Sequence, residues 1–384
     1  MINEKGDTVV CIRNESSIEF SKNFQSWVHR LKEKRKTKPS DETIGDFIEG
    51  NKKATPDTLH KTYKGFIEAT TLTDSHYNHL VKRSMTDDEI SIREFRSFPD
   101  KPWYTVKAVK EITGKEDFDG VPGFYKSKFG WNIAGRQGIM IPYRNEYNQI
   151  IGYQTRVDNP LNDVTVKPGS INGLQAVVKE QPNLVQILIE GEIIEEISLE
   201  LGKMHMVYRN GVGSVTLVKG QRYFWTSSAN KLNGTGAGDP LPIHVAVPTD
   251  KLNTWEPGNL LKASSVWITE GALKADIAVQ HIPKIYDVEE LDEIGTTFLA
   301  TAGVNTWRYL MPILKNMGVK HVNIAFDMDA MENPKVAYQL QQLAKELKKN
   351  NYTANLAMWN PENDQKGIDD TLARKRIPKF KRLF

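Results

Sequence analysis

The chain has 384 residues, with 51 Lys and Arg against 48 Asp and Glu, a formal net charge of +3 and a single cysteine, Cys11. That length accommodates two or three domains. One cysteine excludes an intrachain disulfide and a zinc site built from this chain's own thiolates, and no apolar run approaches the roughly 20 residues of a membrane-spanning helix. The opening MINEKGDTVVCIRNESS lacks the basic region and apolar core of a secretory signal, so a cytoplasmic protein with no membrane partner is expected.

Residues 1–117 are rich in Lys, Glu, Asp and Thr and carry short helical patterns, TIGDFIEG, TPDTLHKTYKGFIEA and TDSHYNHLVKRSMTDDEISIREF, which predict a helical N-terminal region. Thr73 and Asp74 are good N-cap types, and the acids of MTDDEISIREF suit the first turn of a further helix. RSFPDKPWY then breaks the pattern with two prolines. Over 118–260 the texture changes to Gly and Pro punctuation around β-type runs. GIMIPYR and QIIGYQTRV predict two strands joined by a polar turn, and RNGVGS is a hairpin signal because Asn-Gly suits positive φ. From 261 to 372 strands and helices alternate: SSVWITE, GALKADIAVQ, TTFLATAG, TWRYLMPILKNMG, HVNIAFD, PKVAYQLQQLAKELKKN and YTANLAMW. Trp307, Leu310, Met311 and Leu314 share one helical face, as do Val336, Leu340, Leu343 and Leu347. Such alternation predicts a mainly parallel sheet covered on both faces, with its site at the carboxyl ends of the strands. Two segments are strongly basic, HRLKEKRKTK near the N-terminus and RKRIPKFKRLF within a 373–384 tail; each fits a solvated tail or a phosphate-backbone contact.

Acids fall at or just after strand ends in the last domain: Glu270 in VWITEGALKAD, Asp327 and Asp329 in FDMDA, and Asp369 and Asp370 in KGIDDTLA. Parallel strands end on one edge, so these positions are expected to converge. Clustered carboxylates repel, and a bound cation or protonation relieves them. Hard oxygen ligands select Mg²⁺ or Mn²⁺. In an extended stretch Asp327 and Asp329 would face one ion while Met328 turns to the core. Alone, the pair also fits helix-capping aspartates; joined to the other acids it favours the cation.

Glu-Gly at the end of a first strand, DxD after a later one and the Lys-Gly-Ile-Asp-Asp segment together resemble the TOPRIM domain over roughly 262–372. That domain is shared by DnaG-type primases, type IA and type II topoisomerases, OLD-type nucleases and RecR proteins. GRQGIMIPYRNEYNQIIGYQTRVDN (135–159) and QRYFWTSS (221–228) are similar to the two segments that precede the metal domain in DnaG-type primases. The wider layout, with RSFP, GVPGFY and LPIHVAVP, resembles TOPRIM primase-like proteins of plasmids, phages and integrative elements. The resemblance implies an α+β and α/β multidomain chain: a helical N-terminal region, a β-rich primase-type subdomain with a β-insertion at about 160–220, and a C-terminal Rossmann-like TOPRIM domain.

It also implies a function, a DNA primase-like nucleotidyltransferase that uses Mg²⁺ or Mn²⁺ to make short primers from NTP or dNTP on a single-stranded DNA template. Asp327, Asp329 and Asp369 or Asp370 would hold the metal, and Glu270 would act as general acid/base or as a further ligand. Arg156, Arg222 and Tyr223 would line the template and nucleotide groove, with Arg144 a lesser addition. The family's lysine before tyrosine is Arg222 here, and the one cysteine cannot build the zinc ribbon of cellular primases. Lys274, one turn beyond Glu270, fits a surface lysine or a phosphate contact, and Lys366 a phosphate contact or a solvated loop residue. Trp103, Trp131, Trp307 and Trp359 read as packing residues, Trp225 as core, and His76 and His79 lack further metal ligands. GTGAGDP lacks the Lys-Ser/Thr of a Walker loop, so a helicase would be a separate partner. The alternatives are a TOPRIM nuclease using the same acids for hydrolysis, and a non-catalytic accessory protein that binds single strands.

Overall fold

The computed structural model describes residues 8–11, 19–21, 26–30, 52–231, 233–238, 240–328, 334–360 and 367–384. The chain divides into two units, one of Met1–Gly135, Ile139–Thr155 and Trp225–Phe384, the other of Arg136–Gly138 and Arg156–Phe224.

The described residues of the first unit begin with three strands, Thr8–Cys11, Glu19–Ser21 and Ser26–Arg30, antiparallel with the last in the middle. These strands were not expected in the helical region of 1–117; Thr8-Val9-Val10 and Trp27-Val28 are β-branched and aromatic runs whose propensity favours strands. TIGDFIEG lies outside the described residues. Helices follow at Pro56–Glu68, Asp74–Lys82, Asp87–Ile92 and Pro102–Thr113. Thr55 accepts the Thr58 N–H ahead of Pro56, and Thr86 and Glu89 form a reciprocal capping box. Thr73 is an N-cap by position but makes no capping bond through its side chain.

The helices Pro56–Glu68 and Pro102–Thr113 bury Tyr63, Phe66, Val106 and Val109 against Phe118, Phe124, Met140 and Tyr153. Gly138–Arg144 and Ile150–Val157 are neighbours in a four-stranded sheet with Arg96–Ser97 and Tyr223–Trp225. Their turn is closed by the Asn145 N–H on the Gln149 carbonyl, with Asn148 at φ 55°.

A six-stranded sheet forms the C-terminal part of this unit, in the order His244–Ala246, Phe298–Thr301, Ser265–Glu270, His321–Ile324, Thr353–Met358, Lys379–Arg382. The central four strands are parallel and the two outer ones antiparallel. Both faces are covered, which explains the uninterrupted apolar runs. Val266 and Ile268 face a core with Leu310, Leu314, Leu343 and Leu347, while Trp267 between them packs with Phe298, Ala275, Ala278 and Leu372 on the other side. The 373–384 segment is not a free tail: Lys379–Arg382 is an edge strand, and Phe380 lies 5.5 Å from the Trp267 ring.

The second unit is a β structure of two three-stranded antiparallel sheets. One joins Leu174–Glu180, Leu184–Ile189 and Glu192–Ser198, the other Met204–Tyr208, Val212–Lys219 and Asn162–Lys167. Leu174, Val185, Ile187, Val215 and Leu217 form its core. The RNGVGS turn pairs Tyr208 with Val212 and places Asn210 at φ 49°.

Candidate active site

The carboxyl edge of the parallel strands gathers the chemistry. Glu270 ends the Ser265–Glu270 strand in register with Thr301, and Gly271, at φ 87°, turns the chain into the Ala272–His281 helix by donating its N–H to the Thr301 carbonyl at 2.8 Å. Glycine suits that left-handed position. A Cβ placed on Gly303 would lie 3.9 Å from Glu270 Oε1, so the loop after Phe298–Thr301 reaches the same edge.

Lys274, in the first turn of the Ala272–His281 helix, is half-buried rather than a surface lysine. Its Nζ donates to both oxygens of Asp327, at 2.5 and 2.6 Å. Burial alone would lower its pKa, but Asp327 first, then Asp369 and Glu270, carry it above the ordinary lysine value. The ammonium therefore lies in the field of three carboxylates. The strand expected to run to Asp327 stops at Ile324, and Met328, half-buried, accepts the Trp359 N–H through Sδ at 3.4 Å.

Asp369, in the first turn of the Ile368–Ala373 helix, is buried. Its Oδ2 is ion-paired with Arg83, which follows the Asp74–Lys82 helix, while its Oδ1 is buried with no hydrogen-bond partner among the described residues. Burial raises the carboxyl above the ordinary aspartate range and Asp370 adds to this, against the pull of Arg83 and Lys274. A Cβ on Gly367 would fall 2.2 Å from Asp369 Oδ1 and 3.6 Å from Lys274 Cε, so the absence of a side chain there leaves the cradle open. Asp370 is half-buried beside it.

Asp329 and Lys366 lie outside the described residues. Among the described residues, no three His, Cys, Asp or Glu side chains are placed to share one metal ion. The donor set of the edge, carboxylates with one orphaned buried oxygen, fits a hard divalent cation.

Arg144, expected near nucleic acid, is buried, with Nη2 on Glu94 at 2.6 Å and Nη1 on Asn148 at 3.1 Å. Its guanidinium braces the turn after its own strand. In the second unit Arg222 is exposed and Arg156 and Tyr223 are half-buried; the Val157 N–H donates to the Arg222 carbonyl at 2.9 Å, which sets the two basic segments side by side. The Arg136 guanidinium stacks 3.8 Å over the Phe224 ring, a cation–aromatic pair overlooked in the sequence although GRQG and RYFW carried both partners. Trp225 packs 4.5 Å from Tyr143, Trp131 against Phe118 and Trp307 in the sheet core. Trp103, expected to pack, is 52% exposed.

Sequence reasoning also missed a buried network behind the edge. Asp276 accepts from Arg93 Nε at 3.0 Å and lies 3.2 Å from His244 Nε2, whose Nδ1 accepts the Arg144 N–H; Arg93 also donates to the Val247 carbonyl. The signal was one aspartate on a helix otherwise buried through Leu273, Ala275, Ile277 and Val279. Burial would raise the Asp276 pKa, but His244, then Arg93, hold it below the usual carboxylate range.

Residues 259–378 match a family model described as a domain of unknown function, DUF3854. No curated protein matches the chain. Among solved structures, the DnaG primase catalytic domain bound to single-stranded DNA is similar at 11% identity and a TM-score of 0.43, over 84% of this chain and 80% of that one. The zinc-binding and RNA polymerase domains of the Aquifex aeolicus primase are similar at 10% identity and 0.44, over 86% of this chain and 63% of that one. The E. coli primase catalytic core is similar at 10% and 0.43, over 84% and 80%. The chain has a mixed α/β fold, and its functional reading rests on its own residues.

Proposed function

We propose that the chain is a template-directed nucleotidyltransferase that makes short primers on single-stranded DNA from NTP or dNTP, serving replication of a mobile genetic element beside a separate helicase. The observation that carries this reading is the arrival of Glu270, Asp327 and Asp369 at one edge of a parallel sheet, where all three attract the Lys274 ammonium. Its direction towards polynucleotide synthesis comes from the resemblance of residues 135–159 and 221–228 to primase segments.

Asp327 and Asp329, with Asp369 or Asp370, would hold Mg²⁺ or Mn²⁺. A divalent ion bound there supplies charge that neutralises phosphate and acidifies an attacking hydroxyl. Glu270 would take the proton from the primer 3′-hydroxyl or serve as a further ligand. Arg156 and Arg222 would neutralise template phosphates and Tyr223 would stack on a base, a combination that holds single strands without sequence preference. Lys274 and Lys366 would contact nucleotide phosphates.

The test is incubation with single-stranded DNA, NTP or dNTP and Mg²⁺ or Mn²⁺, beside an Asp327→Ala/Asp329→Ala variant. Labelled oligomers that vanish in the variant are the expected result. Shortened template would instead identify a nuclease using the same acids, and binding without turnover an accessory protein.

A further inference from the structure

We propose that the Lys274 ammonium is the resident counter-ion of the carboxylate edge, occupying the place of a divalent cation and leaving Asp327 when that cation binds. The inference deepens the metal-dependent reading above and rests on it.

Lys274 Nζ contacts both Asp327 oxygens at once, at 2.5 and 2.6 Å, so the carboxylate has no oxygen outside the lysine's reach. A metal ion needs at least one of the same oxygens, and two cations cannot share them at hydrogen-bond distance without strong repulsion. On its other side the lysine stem approaches Asp369: the Cβ position of Gly367 is 3.6 Å from Lys274 Cε and 2.2 Å from Asp369 Oδ1. That oxygen is buried and has no hydrogen-bond partner among the described residues, whereas Oδ2 of the same carboxylate is taken by Arg83. Arg83 thus neutralises Asp369 from the helical side, and Lys274 is a second cation, attracted by both Asp369 and Asp327.

The residue type matters. An ammonium is a compact charge on a flexible four-carbon stem and can withdraw by rotamer changes, whereas a guanidinium on a carboxylate tends to lock into a two-point clasp. Lys274 also sits in the first turn of its helix, four residues after Glu270, and its side chain is 27% exposed, which leaves room for the head to swing outward. Without it, Asp327, Asp369 and Glu270 would lose an ammonium that all three attract, which is costly in a partly buried site. With a divalent ion bound, the same lysine becomes a like charge and is driven off, its three donors then available to an anionic ligand.

Mn²⁺ binding, followed by the electron paramagnetic resonance of the free ion, tests this in the full-length wild type and in Lys274→Gln, Lys274→Arg and Asp327→Asn, all at one ionic strength. Removing a unit positive charge a few ångströms from the ion should make Lys274→Gln bind Mn²⁺ at least about tenfold more tightly than wild type. Lys274→Arg should bind no more tightly than wild type, and Asp327→Asn should lose the site. Equal affinity in wild type and Lys274→Gln, or tightening in Lys274→Arg as large as in Lys274→Gln, overturns the lysine proposal and leaves the metal reading standing. No Mn²⁺ bound by either wild type or Lys274→Gln overturns both. A second measurement needs no variant: in wild-type crystals soaked with Mn²⁺, an anomalous peak at Asp327 with Nζ beyond hydrogen-bond distance supports displacement, and Nζ still bonded to Asp327 beside the ion refutes it.

Discussion

Arg93→Met should be among the most damaging single substitutions outside the carboxylate edge. Arg93 and Asp276 are 2% and 5% exposed at their side chains and meet at 3.0 Å. Removing one partner of such a pair leaves the other charge buried, at a cost of about 3–5 kcal/mol. Methionine refills the volume of the arginine stem, and His244 still lies 3.2 Å from Asp276, so the lower end, about 3 kcal/mol, is expected. Urea unfolding followed by tryptophan fluorescence measures it, with Trp267, stacked 5.4 Å from Phe298 in the same sheet, as a buried reporter. The pH dependence supplies a second check. The Asp276 pKa is depressed in the folded state, so the contribution of the pair is present above the unfolded value of 3.8 and is lost as pH falls through the folded one. Arg93→Met should therefore lose more stability at pH 7 than near pH 3. A cost under about 1 kcal/mol at pH 7, the scale of an exposed ion pair, would refute the reasoning.

In electrophoretic or fluorescence assays on single-stranded DNA, Tyr223→Ala should weaken binding by about 1–3 kcal/mol with little change in salt dependence. Arg222→Ala should instead reduce the slope of log affinity against log salt by about one phosphate contact, and unchanged slopes would count against a phosphate role. The pKa of His60 is lowered from 6.5 to about 4, by burial first and then by Arg144 and Lys64, and its Nδ1 accepts the Ile150 N–H at 3.0 Å. Because its folded pKa is depressed, stability should fall as pH drops from 6.5 towards 4, and His60→Gln should flatten that window; an NMR titration midpoint near 6.5 would contradict it. Gly367→Ala would bring a methyl 2.2 Å from Asp369 Oδ1. The clash should cost about 1–3 kcal/mol and weaken Mn²⁺ binding by closing the cradle, both readable by thermal unfolding with and without the ion.

The parts of the fold that the sequence made legible are those where burial imposes a period. Leu340, Leu343 and Leu347 recur at helical spacing and all face the sheet, and Val266, Trp267 and Ile268 form an unbroken apolar run that suits a strand buried on both faces. The Lys379–Arg382 strand was read as a tail because all four of its residues are exposed and no buried face writes an alternation into KFKR. The strands before residue 31 are three to five residues long, too short for a period to stand out among polar neighbours. That Glu270, Asp327 and Asp369 approach one edge was legible from topology, since parallel strands end together. Their cations were not. Arg83 and Asp369 are 286 residues apart, and Arg93 and Asp276 are 183 apart, so neither pair leaves any local spacing to read. Lys274 looked like a surface residue because one lysine in a first turn is ordinary until the chain beyond the neighbouring His321–Ile324 strand brings Asp327 to it.

The Lys379–Arg382 strand has a practical side. It pairs along Thr353–Met358, whose other flank is already taken by His321–Ile324, and so closes the open backbone row of the sheet with exposed positive charge. Two copies approaching through this edge would meet like charges instead of an apolar strand awaiting a neighbour. Trimming the protein at residue 374 for crystallisation would strip that cover and leave Leu356 and Ala357 on a bare rim. Shortened chains should consequently precipitate at concentrations where the full chain stays dispersed, so purification tags and cuts are better placed at the other terminus.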